Sequence, residues 1–345
     1  MSLRRRGTAA VALAVAAALS LAACGSSGDG GAAEPAGAGG KKAVAQGGKG
    51  FGDAARKTAA MGTDAKPGQW PRTITHAMGR TELKAQPKRV VVLDVGELDN
   101  VVSLGIQPVG LAPTEGSPEL PSYLKGAAGT PKNVGTINNL NLEAIAGLHP
   151  DLILGSQLRA ADKYAALSKI APTVFSLRPG FTWKENYRLN AAALDRSAQA
   201  EAKLAAYDTK AKALGTALGG TKPTVSMVRY LPDGKIRLYA GASFIGTILK
   251  DAGIPRPKNQ QVDDLATEIS AENIDQADAD WVFTGVYGDA KATDKAKAQD
   301  NPLWKNLRAV KAGHASDVPD ETWYLGLGVT AADQVLDDLR SRLVK

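Results

Sequence analysis

The chain has 345 residues, of which 44% are hydrophobic and only 5% aromatic, and its formal net charge is +7. Three positive charges belong to adjacent arginines at positions 4 to 6, and without them the net charge falls from +7 to +4. So mild a balance, with no basic block elsewhere, excludes the charge pattern of a nucleic-acid-binding protein. The single cysteine, Cys24, excludes disulfide bonds within the chain.

The N-terminus has the layout of a secretory signal peptide. The three arginines precede an apolar run over residues 8–23, which is shorter than the roughly 20 apolar residues of a membrane-spanning helix. The run ends in Leu-Ala-Ala-Cys, which resembles the bacterial lipobox, whose cysteine receives a lipid and becomes the new N-terminus. Residues 1–23 are therefore predicted to be a lipoprotein signal peptide, and Cys24 to anchor the chain at the outer face of the cytoplasmic membrane. The alternative is a chance cysteine in an apolar segment.

The rest of the chain divides by composition. Residues 24–72 are rich in glycine, alanine, serine and charge without apolar periodicity, so a flexible linker is predicted behind the lipidated cysteine. Beyond them, short β-branched runs alternate with helical stretches, as is typical of an α/β fold. Residues 198–218 contain no proline and one glycine, which predicts a long helix between an N-terminal lobe (73–197) and a C-terminal lobe (219–345). Predicted strands are 90–93, 108–111, 152–154, 174–177, 225–228 and 281–284.

The two halves share an internal repeat. Each copy begins with a polar helix N-cap, has a glutamate in the first helical turn, and continues to an aspartate that precedes a buried strand. The matched pairs, all 129 residues apart, are Asn141 with Ser270, Glu143 with Glu272, and Asp151 with Asp280. The repeat predicts two equivalent lobes joined by the long helix.

Several short segments, in their order and spacing, resemble one known family. They are residues 89–93, 141–154, 239–244, 301–304 and 321–324. The family is the class of periplasmic binding proteins that serve importers of iron siderophores, haem and cobalamin, and the resemblance covers about residues 73–343. Within this class, residues 236–255 and the Trp323-Tyr324 pair look most like ferric hydroxamate binders.

The resemblance carries clear expectations. It implies an α/β fold of two Rossmann-like lobes joined by one long rigid α-helix, with the ligand cleft between the lobes. It also implies the substrate-binding component of an ABC importer, a monomer that captures a ferric siderophore and delivers it to permease subunits. A hydroxamate siderophore is favoured, whereas haem and cobalamin remain alternatives within the same fold.

Candidate ligand contacts follow from a general rule. Ligands of open α/β sheets bind beyond the carboxyl ends of the strands, where aromatic rings can cover apolar faces and arginines can donate to oxygens. Trp323 is favoured because it matches the hydroxamate-binder pattern. The alternative for any one aromatic residue is a core or rim position, and for Arg237 a solvent-facing place on a hairpin. The predicted contacts are Arg159, Arg178, Trp183, Arg229, Tyr230, Arg237, Phe244, Tyr287, Trp323 and Tyr324.

Glu143 and Glu272 have two interpretations. A glutamate in a first helical turn is stabilised by the helix dipole, by about 0.3–1 kcal/mol, and needs no further role. The resemblance implies instead that the two glutamates lie on the tops of the lobes and engage arginines of the membrane permease. The equivalent places of the two residues in the repeat favour docking.

Two other classes of protein fit less well. A metal-binding lipoprotein needs several converging ligands, whereas this chain has only His76, His149 and His314, two of them in turns remote from the predicted cleft. An exported hydrolase would need an activated serine, but Ile245 replaces the second glycine of the nucleophile elbow around Ser243. Ser243 is therefore predicted to be a turn residue or a helix N-cap. No catalytic residue, metal site or cofactor is expected.

Overall fold

The computed structural model describes residues 52–344. Within these residues, the first lobe holds one five-stranded sheet and two small hairpins. Its strands are β1 (Arg72–His76), β2 (Gly79–Leu83), β3 (Val90–Val92), β4 (Gly110–Leu111), β5 (Lys132–Asn133), β6 (Gly135–Thr136), β7 (Asn139–Leu140), β8 (Leu152–Ser156) and β9 (Thr173–Ser176). Its helices are α1 (Ala54–Ala59), α2 (Val95–Ser103), α3 (Lys125–Ala128), α4 (Leu142–Gly147), α5 (Gln157–Ala160), α6 (Tyr164–Ile170) and α7 (Trp183–Leu194).

The sheet of the first lobe is parallel throughout, in the order β5-β4-β3-β8-β9. Strands β3 and β8 are buried along their whole length, as expected for parallel strands covered on both faces. Since the strands are parallel, their carboxyl ends meet at one edge of the sheet. The loops at this edge are the ones in which a ligand site is expected.

One long helix, α8 (Ser197–Ala217), follows the first lobe where the sequence predicts it. Its 21 residues span about 30 Å. The helix packs against α7 on one side and against helices of the second lobe on the other. Its buried residues recur every three or four positions and form one apolar stripe: Ala200, Leu204, Tyr207, Ala211 and Leu214.

The second lobe also holds a five-stranded sheet, in the order β12-β11-β10-β13-β14, whose bounds follow. The strands are β10 (Val225–Tyr230), β11 (Ile236–Tyr239), β12 (Ala266–Ile269), β13 (Trp281–Val286) and β14 (Ala315–Asp317). The helices are α9 (Phe244–Asp251), α10 (Lys295–Asp300), α11 (Pro302–Lys305), α12 (Arg308–Lys311), α13 (Asp320–Trp323) and α14 (Val329–Leu343). Short 3-10 helices lie at Ser122–Leu124, Ala161–Lys163, Lys258–Gln260, Ala271–Ala277 and Ala290–Ala292.

The internal repeat has a structural counterpart. Strands β8 and β13 begin 129 residues apart, and each pairs in parallel with the first strand of its own sheet. The aspartate before each strand binds the backbone that leads into that neighbouring strand. Asp151 accepts hydrogen bonds from the backbone amides of residues 88 and 89, and Asp280 from that of Thr224, all at 2.8 Å. The lobes differ beyond this core, because β11 is antiparallel to β10 whereas β4 is parallel to β3.

Ordered structure begins earlier than the sequence predicts. The expected linker ran to residue 72, but residues 54–72, here called the N-terminal strap, pack on the first lobe, with α1 against α7. The side chain of Arg72 is buried, donates to the carbonyl of Ala192 at 2.9 Å and pairs with Asp195 at 2.7 Å. The strap packs only isolated apolar residues, such as Met61 and Trp70, against the core, and its other contacts are polar or ionic. It therefore has no apolar periodicity from which folding can be predicted.

The predicted signal peptide, the lipidation site Cys24 and the first half of the predicted linker lie outside the described residues. Within residues 52–344, the helices are either too short or too polar to cross a lipid bilayer.

Candidate ligand cleft

In the first lobe, an ion pair lies at the carboxyl ends of β3 and β8. Asp94 follows β3, caps α2 through the amide of Val95, and is almost fully buried. Its second carboxylate oxygen accepts a hydrogen bond from Nε of Arg159, which follows β8, at 3.1 Å. Among residues 52–344, the two terminal nitrogens of Arg159 have no hydrogen-bond partner, and its side chain is 14% exposed. The carboxylate therefore orients the guanidinium and leaves its terminal donors available.

A second guanidinium lies close by. Arg178 follows β9, its guanidinium lies 4.8 Å above the ring of Phe181, and its Nε donates to the carbonyl of Pro179 at 3.2 Å. Burial, and next the positive charge of Arg159, lower the pKa of Arg178 to about 10, although Asp264 of the second lobe opposes both. Two like charges at one sheet edge repel each other, and an anion that contacts both relieves the repulsion.

A buried acid lies beside this pair. Glu97, on the first turn of α2, is 2% exposed, and its Oε2 has no hydrogen-bond partner among the described residues. Burial, and next the charge of Asp94, raise the pKa of Glu97 to about 8, although Arg159 favours the ionised form. Glu97 is therefore mostly protonated at neutral pH, and it adds no full negative charge beside Asp94 and Arg159.

In the second lobe, Arg229 at the end of β10 is enclosed by other side chains. Its Nε donates to Asp320 at 2.7 Å, its Nη2 donates to the other oxygen of Asp320, and its Nη1 donates to the hydroxyl of Tyr239 at 3.1 Å. The guanidinium also lies 4.7 Å above the ring of Tyr287. Each of its three nitrogens is engaged, so Arg229 holds Tyr287 in place more readily than it donates to a ligand.

The loops of the two lobes meet across the cleft. The hydroxyl of Tyr287, after β13, accepts a hydrogen bond from the amide of Gly116 in the loop after β4, at 3.1 Å. A Cβ on Gly116 would collide with the ring of Tyr287, so this approach requires glycine. The carboxylate of Glu321 accepts hydrogen bonds from the amide of Ser122, at 2.9 Å, and from its hydroxyl. The predicted strand-end loops thus do face one another.

Five predicted aromatic contacts lie in the core instead of the cleft. Trp183 donates from Nε1 to Thr247 and packs on Tyr207. Trp323 donates to Asp338, and the hydroxyl of Tyr324 lies within hydrogen-bonding distance of two strand carbonyls that share its one proton. Almost none of the surface of these side chains is open to a ligand in this conformation. The buried residues are Trp183, Tyr230, Phe244, Trp323 and Tyr324, each at most 5% exposed.

Helix α13 shows why the sequence did not reveal that Trp323 and Tyr324 are buried. The sequence shows that this segment ends in an aromatic pair, but not which way the short helix turns. Residues Thr322 and Trp323 face inward, and the two acids before them, Asp320 and Glu321, face the neighbouring loops. The strand-end rule does select residues 94–97, which include Asp94 and Glu97, whereas the sequence reasoning missed Asp320 and Glu321. The only available signal for these two acids was their place shortly after β14.

The remaining predicted residues lie nearer the surface. Arg237 is half-buried within β11, where it lies opposite Arg229 of β10 and Glu268 of the edge strand β12, and it pairs with Glu268 at 2.8 Å. Glu143 and Glu272 are exposed in the first turns of α4 and of the 3-10 helix Ala271–Ala277. A hydrogen bond with Ser270 lowers the pKa of Glu272, so that its carboxylate is charged at neutral pH.

Ser243 has the structural role that the sequence predicts. Its hydroxyl caps α9 by accepting a hydrogen bond from the amide of Gly246. The same hydroxyl donates to the carbonyl of Ala240 at 2.7 Å. The prediction of a helix N-cap is confirmed. The hydroxyl is buried and both of its hydrogen-bonding roles are used.

Comparison with known proteins agrees with this architecture. Residues 90–322 match the sequence profile of a family described as periplasmic binding protein. The probable siderophore-binding lipoprotein YfiY of Bacillus subtilis is 38% identical over 287 residues, which cover 79% of this chain and 88% of YfiY. The crystal structure of Staphylococcus aureus SirA complexed with staphyloferrin B superposes with a TM-score of 0.70 at 34% identity, covering 79% of this chain and 98% of SirA.

A further solved structure, the petrobactin-binding protein YclQ of Bacillus subtilis, has a TM-score of 0.67 at 26% identity and covers 79% of this chain and 98% of its own. The predicted α/β fold of two lobes joined by one long helix is confirmed by these superpositions and by the two sheets on either side of α8. By the extent of the family match and by its close relative, the chain belongs to the periplasmic binding protein family.

Proposed function

We propose that this protein is the lipid-anchored, extracytoplasmic binding component of an ABC importer, which captures a ferric siderophore and delivers it to the permease. The observation that carries the proposal is the pair of neighbouring guanidiniums, Arg159 and Arg178, at the strand ends that face the second lobe. The names of the relatives support it, since YfiY is described as siderophore-binding and SirA was crystallised with staphyloferrin B.

The site favours a chelate with negatively charged outer oxygens. Arg159 offers a planar fork of free donors, which suits carboxylate or phenolate oxygens, and Arg178 adds a second positive charge. The hydroxamate preference drawn from the sequence rested on residues 236–255 and on the Trp323-Tyr324 pair, and the aromatic residues Phe244, Trp323 and Tyr324 are all buried. A chelate of the carboxylate class therefore replaces the hydroxamate in this proposal, with haem and cobalamin as alternatives to be tested.

Two further parts of the proposal concern the membrane. Cys24 carries the lipid that keeps the protein at the outer face of the cytoplasmic membrane. Glu143 and Glu272, exposed on equivalent helix starts, contact the permease. Binding and delivery, without chemical conversion of the ligand, fit a cleft in which Ser243 serves only as a helix cap.

The ligand class is tested by titration with a panel of compounds, followed through tryptophan fluorescence. The panel contains ferric citrate, ferric staphyloferrin B, a ferric trihydroxamate, a ferric tricatecholate, haem and cobalamin. We expect the tightest binding for the carboxylate chelates. Tightest binding of the trihydroxamate would restore the preference drawn from the sequence, and binding of haem or cobalamin alone would contradict the siderophore proposal.

A matched pair of variants tests the site. Arg159→Ala removes the free guanidinium, and we expect about a 10- to 100-fold loss of affinity, corresponding to a hydrogen bond with a charged group. Arg237→Ala removes an arginine that is already paired with Glu268 on the outer hairpin, and should leave the affinity unchanged. Equal losses in both variants, or none in Arg159→Ala, would show that the ligand binds elsewhere.

A further inference from the structure

The C-terminal helix α14 belongs to both lobes by its contacts. It follows α13 in the second lobe and packs against α13 and α9 there. It also packs against α2 and α7 of the first lobe and against the linking helix α8. The chain crosses from lobe to lobe through α8, and α14 makes a second connection that is held by noncovalent contacts.

The contact at the start of α14 involves a buried carboxylate from the other lobe. Asp99, on α2, is fully buried and accepts hydrogen bonds from the backbone amides of Thr330 and Ala331, each at 3.0 Å. These amides are among the first of the helix and have no partner within it. The N-cap position of α14 is Gly328, which has no side chain to offer, so Asp99 caps the helix from the other lobe.

The backbone around this contact leaves little space. A Cβ on Gly328 would lie 2.6 Å from a carboxylate oxygen of Asp99, closer than side chains tolerate. The backbone of Gly328 is extended, a conformation open to any residue, so the close approach alone requires glycine there. Nearby, the hydroxyl of Tyr123 in the first lobe donates to the carbonyl of Gly326 at 3.3 Å.

The contacts between the lobes therefore differ in strength. Burial raises the pKa of Asp99 to about 6, so that at neutral pH it is a charged acceptor for two amides away from water. Breaking this contact leaves a buried charge and two amides without partners, which is among the most unfavourable changes in a protein. The hydrogen bond from Gly116 to Tyr287 is only partly buried, and water can replace both partners when it opens.

We propose that Asp99 is an inter-lobe pin: its contact with the start of α14 stays closed while the loops around Gly116 and Tyr287 separate. The pin and α8 together confine the motion of the lobes to rotation about one side of the cleft. All of these contacts are made by residues of the chain itself, so the restraint does not depend on the identity of the ligand.

The test measures the distance between the lobes by double electron–electron resonance. Nitroxide labels are attached at Lys169→Cys on α6 and Lys311→Cys on α12, both exposed, in the chain that carries Cys24→Ala and so has no other cysteine. The parent chain should give one narrow distance distribution. Asp99→Ala should at least double its width, or add a second and longer distance.

A matched control is available on α14, the helix that Asp99 contacts. Asp337→Ala removes an exposed ion pair between α14 and Lys210 of α8, and should leave the distribution unchanged. Near-ultraviolet circular dichroism verifies that each variant is folded. A folded Asp99→Ala variant with the distribution of the parent chain would overturn the proposal.

Gly328→Ala provides a test in which Asp99 is retained. The added methyl group pushes the start of α14 away from the carboxylate, so we expect the same broadening as in Asp99→Ala. An unchanged distribution in Gly328→Ala would contradict the pin. If Asp99→Ala does not fold, Gly328→Ala decides alone.

Discussion

Arginines at the strand ends differ in what their partners leave free. Asp94 accepts from Nε of Arg159 only, whereas Asp320 and Tyr239 occupy all three nitrogens of Arg229. The first arrangement orients a guanidinium for a ligand, and the second fixes it as part of the wall. From the sequence alone, Arg159 and Arg229 look equivalent, because both follow a buried strand. Their roles are separated by their partners, of which the two carboxylates, Asp94 and Asp320, lie 65 and 91 residues away in the chain.

The protonation of Glu97 leads to a prediction about pH. Its pKa is raised by burial, from about 4.5 in the unfolded chain to about 8, so the folded protein keeps a proton that the unfolded chain releases. This term makes the free energy of unfolding fall as the pH rises from about 4.5 to 8, by at most about 1.4 kcal/mol per pH unit. Glu97→Gln removes this pH-dependent contribution. The free energy of unfolding of the variant, relative to that of the parent protein, should therefore rise between pH 4.5 and 8.

Urea denaturation at pH 5 and pH 8 measures the difference. The matched control is Glu201→Gln, which removes an exposed carboxylate of the same type from the linking helix. A difference between Glu97→Gln and the parent protein that is the same at both pH values would mean that folding does not shift the proton affinity of Glu97.

At the scale of secondary structure, periodicity and spacing predicted the elements that are buried. All six strands predicted from β-branched runs exist, and α8 begins and ends within one residue of its predicted bounds. The 129-residue repeat correctly aligned β8 with β13. The two lobes are not fully equivalent as the repeat predicts, because β10 and β11 form an antiparallel hairpin. The direction of a strand depends on the turn and on tertiary pairing, which the alternation of apolar residues along a strand does not reveal.

The N-terminal strap shows a second limit of prediction from the sequence, and it leads to a testable prediction about stability. Its anchor is the buried Arg72, whose contacts with Asp195 and with the carbonyl of Ala192 tie it to the end of α7. Arg72→Ala leaves Asp195 and the carbonyl without their cation, and should lower the free energy of unfolding by about 3 kcal/mol. Arg188→Ala, which removes an exposed ion pair from the same helix, should change it by less than about 1 kcal/mol.

Urea denaturation of both variants decides whether the strap is part of the folded unit. Equal and small losses would mean that the first lobe is complete without residues 54–72. A large loss for Arg72→Ala alone would mean that the folded unit includes the strap, and so about 20 residues more than composition suggests.

For the whole molecule, the proposed sites of capture and delivery lie on different surfaces. The arginines proposed to bind the ligand lie in the strand-end loops between the lobes, whereas Glu143 and Glu272 are exposed on equivalent helices, one in each lobe. A permease that contacts both glutamates thereby recognises the spacing of the two lobes. Charge contacts of this kind determine orientation and encounter more than affinity.

This separation predicts that delivery can be lost while capture is kept. Glu143→Ala combined with Glu272→Ala should bind the ferric chelate with unchanged affinity, because neither residue lies among the loops of the cleft. Uptake of labelled iron by cells should nevertheless fail, since the permease loses both charge contacts. Each single variant should show a smaller defect that deepens at high salt, because salt screens the contact that remains.

The control for this prediction is Glu201→Ala, which removes an exposed glutamate from the linking helix, away from both repeats. It should bind ligand and support uptake like the parent protein. Normal uptake by the double variant would remove the docking role and leave the helix dipole as the reason for the two glutamates. Parallel losses of binding and uptake would instead place them in the cleft or the fold, since a docking residue affects only the step that follows capture.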